Sequence, residues 1–140
     1  MLDKERILSK IDELNSYVAE LKAIMPEDYE SYNENSEKKR ACERLLQISI
    51  ETVIDICMLL VKGLQLGMPS SEENVFGKIE KKKIITQEMK NKLKGMKGFR
   101  NILVHHYADI DDELVFENLK GIIDFKEFKG QIIKFIKTAK

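Results

Sequence analysis

The sequence predicts an all-α protein, an up-and-down bundle of four to five helices. Three observations predict it. Glycine and proline are sparse, 7 and 2 in 140 residues, so long segments run without punctuation. Apolar residues recur at steps of three and four, which keeps them on one face of a helix. No stretch alternates apolar and polar residues as a half-buried strand does. At 140 residues the chain is long enough for one real core, and residues 1–140 are expected to form a single domain.

The first helix follows from Ile7, Ile11, Leu14, Val18, Leu21 and Met25, a stripe that Asp3 can cap and Pro26 must end. PEDYESYNENSEKKR is polar and reads as a loop or a frayed first turn. From about Ser36 to Leu66 the chain is helical and apolar on nearly every face, as expected of a central helix or of one that also serves a partner chain. Glu51 and Asp55 lie one turn apart within it. They are either an exposed strip or a structural or active-site carboxylate pair. Gly67-Met68-Pro69 is a helix stop. Ser70 and Glu73 have the spacing of a capping box and open a short helix to about Lys82. Thr86 can cap the next helix, which runs from about Gln87 into FRNILVHHY at residues 99–107. Gly95 and Gly98 inside it each cost roughly 1 kcal/mol against alanine and leave room for the close approach of another helix or a ligand. ADIDD breaks the chain, and Asp111 can cap a last helix that continues close to the C-terminus.

Composition narrows the class. Hydrophobic residues make up 43% and charged residues 34%, the balance of a soluble globular chain rather than a disordered one. No apolar run approaches the roughly 18 residues of a membrane span. The charged start, MLDKERILSK, lacks the apolar core of a secretory signal. The expected location is the cytoplasm, with no membrane partner. Cys42 and Cys57 lie 15 residues apart in one helical stretch, too far to bridge, and read as buried thiols. Net charge is zero, yet residues 78–100 carry nine basic residues against two acidic ones. That segment is either a solvated lysine-rich surface or an approach that attracts phosphate.

FRNILVHHY gathers both histidines of the chain with Arg100, Asn101 and Tyr107. On a helix, Asn101 and His105 share a face, Arg100 and Tyr107 share a face, Ile102 and Leu103 turn inward, and His106 projects elsewhere. These groups suit RNA cleavage. Arginine grips a phosphate with two parallel hydrogen bonds. Imidazole, titrating near about pH 6.5, can take or give a proton. RNA supplies its own nucleophile, the 2′-hydroxyl, so no metal or other cofactor is required. One histidine cannot readily be base and acid in one step, and a twofold dimer would bring a second. Near a helix end, the same residues can equally serve only to cap carbonyls and favour the macrodipole. Adjacent histidines diverge by about 100° on a helix, which argues against a metal site at His105 and His106.

Arg100, four residues, His105, one residue, Tyr107 is the pattern R-x-x-x-x-H-x-Y, and it resembles the HepT-like toxins, a branch of the HEPN-domain ribonucleases. Asn101 matches the polar residue that commonly follows the arginine. CERLLQISIETVIDI, the stop at GMP and GFRNILVHHYADIDDELVFENL extend the resemblance over about residues 4–136. The resemblance implies a HEPN-like helical bundle, dimeric or a higher oligomer of dimers, with the motif helices meeting at a composite cleft. It implies a metal-independent toxin ribonuclease acting on RNA, with tRNA a reasonable target, and a minimal nucleotidyltransferase antitoxin. Arg100 and His105 are then catalytic, Asn101 and Tyr107 support the site, and Tyr107 receives AMP. The alternative is a non-catalytic binding or regulatory subunit for a nucleotidyltransferase. RNA cleavage by the free protein distinguishes the two. No role follows for His106, Glu51 or Asp55.

Overall fold

In the computed structural model, which describes residues 2–139 and of Tyr107 the backbone alone, Asp3 accepts a hydrogen bond from the Arg6 N–H and opens α1 (Lys4–Ile24). Ile7, Ile11, Leu14 and Leu21 are buried along it, as their spacing requires. The polar stretch that follows is not a plain loop. Asp28 caps α2 (Tyr29–Glu34) and Asn35 caps α3 (Ser36–Gly63), each through a side-chain oxygen that accepts from a backbone N–H. The short α2 is held from outside itself: Tyr32 is fully buried, stacked on Phe116 at 5.7 Å between ring centroids. A six-residue helix has too little internal bonding to persist alone.

The central helix α3 ends in a left-handed turn. Gln65 has φ 53°, the Leu66 N–H bonds the Val61 carbonyl at 3.0 Å, and Gln65 N–H bonds that of Lys62 at 3.2 Å. This is a Schellman cap, and it stops the helix at Gly63, four residues before Gly67. Gly67 (φ +97°) then makes a further turn that side chains rarely adopt. The next helix, α4 (Glu72–Lys81), is capped by Ser71 rather than Ser70. Asn74 N–H bonds Ser71 Oγ at 3.0 Å, and Ser70 N–H bonds Asn74 Oδ1 at 3.1 Å. The reciprocal box thus uses Asn74, not Glu73. Lys83 (φ 61°) closes α4 with a second Schellman cap, Ile84 N–H to Ile79 carbonyl at 3.0 Å.

Thr86 caps α5 (Gln87–His105). After a 3₁₀ turn at Tyr107–Asp109, Asp111 caps α6 (Asp112–Lys120). The expected last helix is divided: backbone bonds skip to three-residue spacing from Gly121 to Phe125, and α7 (Ile123–Thr138) begins afresh. The all-α bundle expected from the sequence is formed, with seven α-helices and no strand among the described residues.

Ion pairs give the directions. Lys90 meets Glu80, Lys97 meets Glu73 and Arg100 meets Glu72, so α4 and α5 are antiparallel. Thr86 meets Gln131, while Lys92 meets Asp124 and Glu127, so α5 and α7 are antiparallel too. The core joins Leu46, Ile56 and Leu60 of α3 with Ile7 and Leu14 of α1, Phe76 of α4, Leu93 of α5 and Phe128 of α7. Cys42 and Cys57 are buried free thiols. No helix among the described residues is long and apolar enough to cross a membrane.

Two expectations about stability follow. Lys83 holds a backbone conformation that costs an L-residue about 1 kcal/mol or more, so Lys83→Gly should raise the urea midpoint, by on the order of 1 kcal/mol; a lower midpoint contradicts the cap. Burial pushes the Cys42 thiol from 9.0 up to about 11, and pushes Cys57 and the Tyr32 phenol up as well. The unfolded chain therefore loses these protons first. Stability should be complete below pH 9 and fall as pH rises toward about 11. Cys42→Ala should flatten part of that fall, as read by urea titrations across the window.

Candidate active site

The apolar positions Met89, Leu93, Phe99 and Leu103 dock α5 on the core. Arg100 follows Phe99 in the chain and so emerges at the rim of the buried face. Its side chain is only 15% exposed and lies among groups from three helices. Nε donates to Asn101 Oδ1 of its own helix at 3.0 Å. Nη2 donates to Glu72 Oε1, at the first turn of α4. Nη1 is 3.8 Å from Glu51 Oε2 of α3, which also accepts from Gln47 Nε2 at 3.4 Å.

This arrangement has a chemical consequence. Nε and Nη2 are adjacent donors of the planar guanidinium, and they give one hydrogen each to Asn101 and Glu72. Nη1 makes no hydrogen bond to the described residues, and Nη2 has a second N–H beside the one it gives to Glu72. The end formed by these groups remains available for bidentate contact with an anion such as a phosphate. Glu51, a carboxylate near that end at ion-pair distance, opposes such an anion electrostatically.

Asn101 is half-buried beside Arg100, and His105, one turn on, is exposed. Val104, on the same side, is 43% exposed. The His105 side chain makes no hydrogen bond or ion pair with the described residues. About 140° of helix rotation separates it from Arg100. One protomer thus brings Arg100 together with Asn101, Glu72 and Glu51, and leaves His105 outside that group. The helix ends at His105; His106 caps it through its backbone N–H to the Ile102 carbonyl at 2.9 Å. The seven-residue relation of Arg100 to Tyr107 required a continuous helix and does not apply. Tyr107 begins the 3₁₀ turn, and its side chain lies outside the described residues. Leu103 is in the core, while Ile102 is half-buried and lines a groove.

That groove, about 480 Å³ between α3, α5, α6 and α7, contains Gly95 and Gly98. A Cβ at either would meet nothing within 4 Å. It flanks α5 opposite Arg100, about 200° away at Gly98 and Ile102, so it is not part of the arginine site.

The basic segment is less free than its count suggests. Lys78 donates to the Leu66 carbonyl at 2.9 Å, and Lys90, Lys92, Lys97 and Arg100 all pair with carboxylates of other helices. Lys81, Lys82, Lys83 and Lys94 are exposed. Glu51 and Asp55 do not act as a pair: Glu51 faces Arg100, and Asp55 lies 3.7 Å from Lys10. Sequence reasoning missed Glu72 altogether and gave Glu51 no role. A contact between residues 72 and 100 has no local signal; only the antiparallel pairing of α4 with α5 produces it. Among the described residues no three His, Cys, Asp or Glu side chains gather where they could hold a metal ion.

Comparison with known proteins bears out the expected family. The chain is 30% identical over 110 residues to the tRNA nuclease HepT of Aphanizomenon flos-aquae, covering 79% of this chain and 75% of that protein. It is 34% identical over 84 residues to the mRNA nuclease HepT of Shewanella oneidensis, covering 59% and 63%. The tri-AMPylated Shewanella oneidensis HEPN toxin, solved in complex with its MNT antitoxin, superposes with a TM-score of 0.84 at 26% identity, over 91% of this chain and 96% of that one. The family pattern described as Ribonuclease HepT-like matches residues 14–132. With that pattern spanning most of its length and the all-α bundle to match, the chain belongs to the HepT-like ribonuclease family.

Proposed function

We propose that this chain, as one HEPN-like domain, is the toxin ribonuclease of a toxin–antitoxin pair. Its antitoxin is a nucleotidyltransferase that silences it by transferring AMP to Tyr107. The observation that carries the reading is the anchored Arg100, with Nη1 of its guanidinium free of hydrogen bonds to the described residues, five residues before an exposed His105 at the same helix end.

The chemistry balances without a metal. The 2′-oxygen of RNA attacks the adjacent phosphorus, its proton passing to one imidazole. The bond from phosphorus to the 5′-oxygen breaks, and a second imidazole protonates the leaving oxygen. The products are a 2′,3′-cyclic phosphate and a 5′-hydroxyl. Arg100 stabilises charge on the phosphoryl oxygens, and Asn101 keeps its fork in plane. Since His105 stands alone in one protomer, the second imidazole is His105 of a second copy. Val104, exposed between Asn101 and His105, supports packing of two α5 ends against each other in a homodimer. AMP on Tyr107 would add bulk and negative charge near the cleft and repel an RNA phosphate. The named relatives divide between tRNA and mRNA, so the substrate proposed is cytoplasmic RNA, with tRNA the first to try.

The purified protein should cut RNA in excess EDTA. His105→Ala should lower the rate by about 100-fold or more with unchanged circular dichroism. Protein made together with its nucleotidyltransferase should gain the mass of AMP at Tyr107 and lose cleavage. Full cleavage by the His105 variant, or a strict need for added divalent metal, contradicts the proposal.

A further inference from the structure

We infer that Glu72 is a positioning residue, which fixes the guanidinium of Arg100 so that only its end-on edge is offered to the RNA phosphate. The inference rests on the ribonuclease reading above. Three observations carry it.

First, Glu72 accepts from Nη2 and Asn101 accepts from the adjacent Nε. A planar fork held at two adjacent nitrogens cannot rotate about its long side chain. Second, Glu72 sits on a rigid support. It is the first residue of α4, whose start is locked by the Asn74 N–H donating to Ser71 Oγ and the Ser70 N–H donating to Asn74 Oδ1. Val75, Phe76 and Ile79 bury the helix directly behind it. The Lys97–Glu73 and Lys90–Glu80 pairs, at 3.5 and 3.2 Å, set α4 against α5 along the same seam. Third, the contact is sheltered, with the Arg100 side chain 15% and Glu72 35% exposed, so water competes less than at an open surface pair.

Glu72 has two effects that oppose each other, and this makes the role testable. As a hydrogen-bond acceptor it orients Arg100, which favours the transition state. As an anion beside the phosphate site it weakens attraction of RNA, an effect Glu51 adds to from 3.8 Å. Glutamine retains the acceptor and removes the charge; alanine removes both. The two substitutions therefore separate kcat from KM.

The test measures steady-state cleavage of a fluorescent RNA by wild type, Glu72→Gln, Glu72→Ala and, as a carboxylate away from the seam, Glu88→Ala. Glu72→Ala should lose about 10- to 100-fold in kcat. Glu72→Gln should keep kcat within about threefold and lower KM, with the fall in KM shrinking as salt rises. Glu88→Ala should stay near wild type. An unchanged kcat in Glu72→Ala, or a Glu72→Gln variant that falls as far as the alanine variant, overturns the inference. If the alanine variant does not fold, the glutamine variant decides alone: kept kcat with lowered KM supports the role, and lost kcat overturns it. Exchange of the Arg100 Nε–H, followed by NMR, gives a readout that does not depend on cleavage. It should be slow in wild type and Glu72→Gln and fast in Glu72→Ala. Uniformly fast or uniformly slow exchange overturns positioning, whereas an inactive wild type with the expected exchange pattern refutes only the ribonuclease reading.

Discussion

The burial of α3 on all but one strip governs the rest of the molecule. Thr52, Ser49, Cys42, Cys57, Val61 and Ile54 spread over about 200° around it, yet all are buried. One helix with that distribution must be covered from several sides, and α1, α2, α4, α5 and α6 all touch it. The strip left over runs through Arg44, Glu51, Asp55, Met58 and Lys62. Glu51 meets Arg100 from that strip. The position of the arginine thus follows from the way the core is closed.

Charge in this protein is arranged to hold helices together before it attracts anything. Residues 78–100 carry +7 in the sequence, but their cations reach across to Glu72, Glu73, Glu80, Asp124 and Glu127. The field left for a nucleic acid comes from fewer groups, chiefly the exposed lysines of the α4–α5 turn. The arginine that the motif singles out is itself neutralised by its neighbours. In the proposed reaction its contribution is geometry, a guanidinium held in place by its neighbours, more than bulk positive potential.

Much of the fold was legible because its signals are local. The stripe of α1, the apolar excess of α3, and the Asp3, Thr86 and Asp111 caps each depend on residues a few positions apart. The divisions that were not legible depend on distant partners. Tyr32 makes α2 a helix by packing on Phe116, more than eighty residues away. The stop of α3 at Gly63 was concealed by the stronger turn signal of Gly67. At the site, Arg100, Asn101 and His105 stand out by type and spacing. Glu72 looks like any first-turn glutamate, and its contact with Arg100 exists only once α4 lies antiparallel to α5. The wheel relation of Arg100 with Tyr107 failed for a local reason: the helix ends two residues too soon.

In the proposed reaction the end of α5 cleaves RNA by turning the substrate's own 2′-hydroxyl on its phosphate, with arginine and histidine as the only protein chemistry. Mass spectrometry of the two fragments from one cleavage tests this most directly. The proposed reaction leaves a 2′,3′-cyclic phosphate, or the monophosphate it opens to, on the upstream fragment and a 5′-hydroxyl on the downstream one. A 3′-hydroxyl with a 5′-phosphate would contradict it, because those ends require water or another external nucleophile in place of the 2′-oxygen.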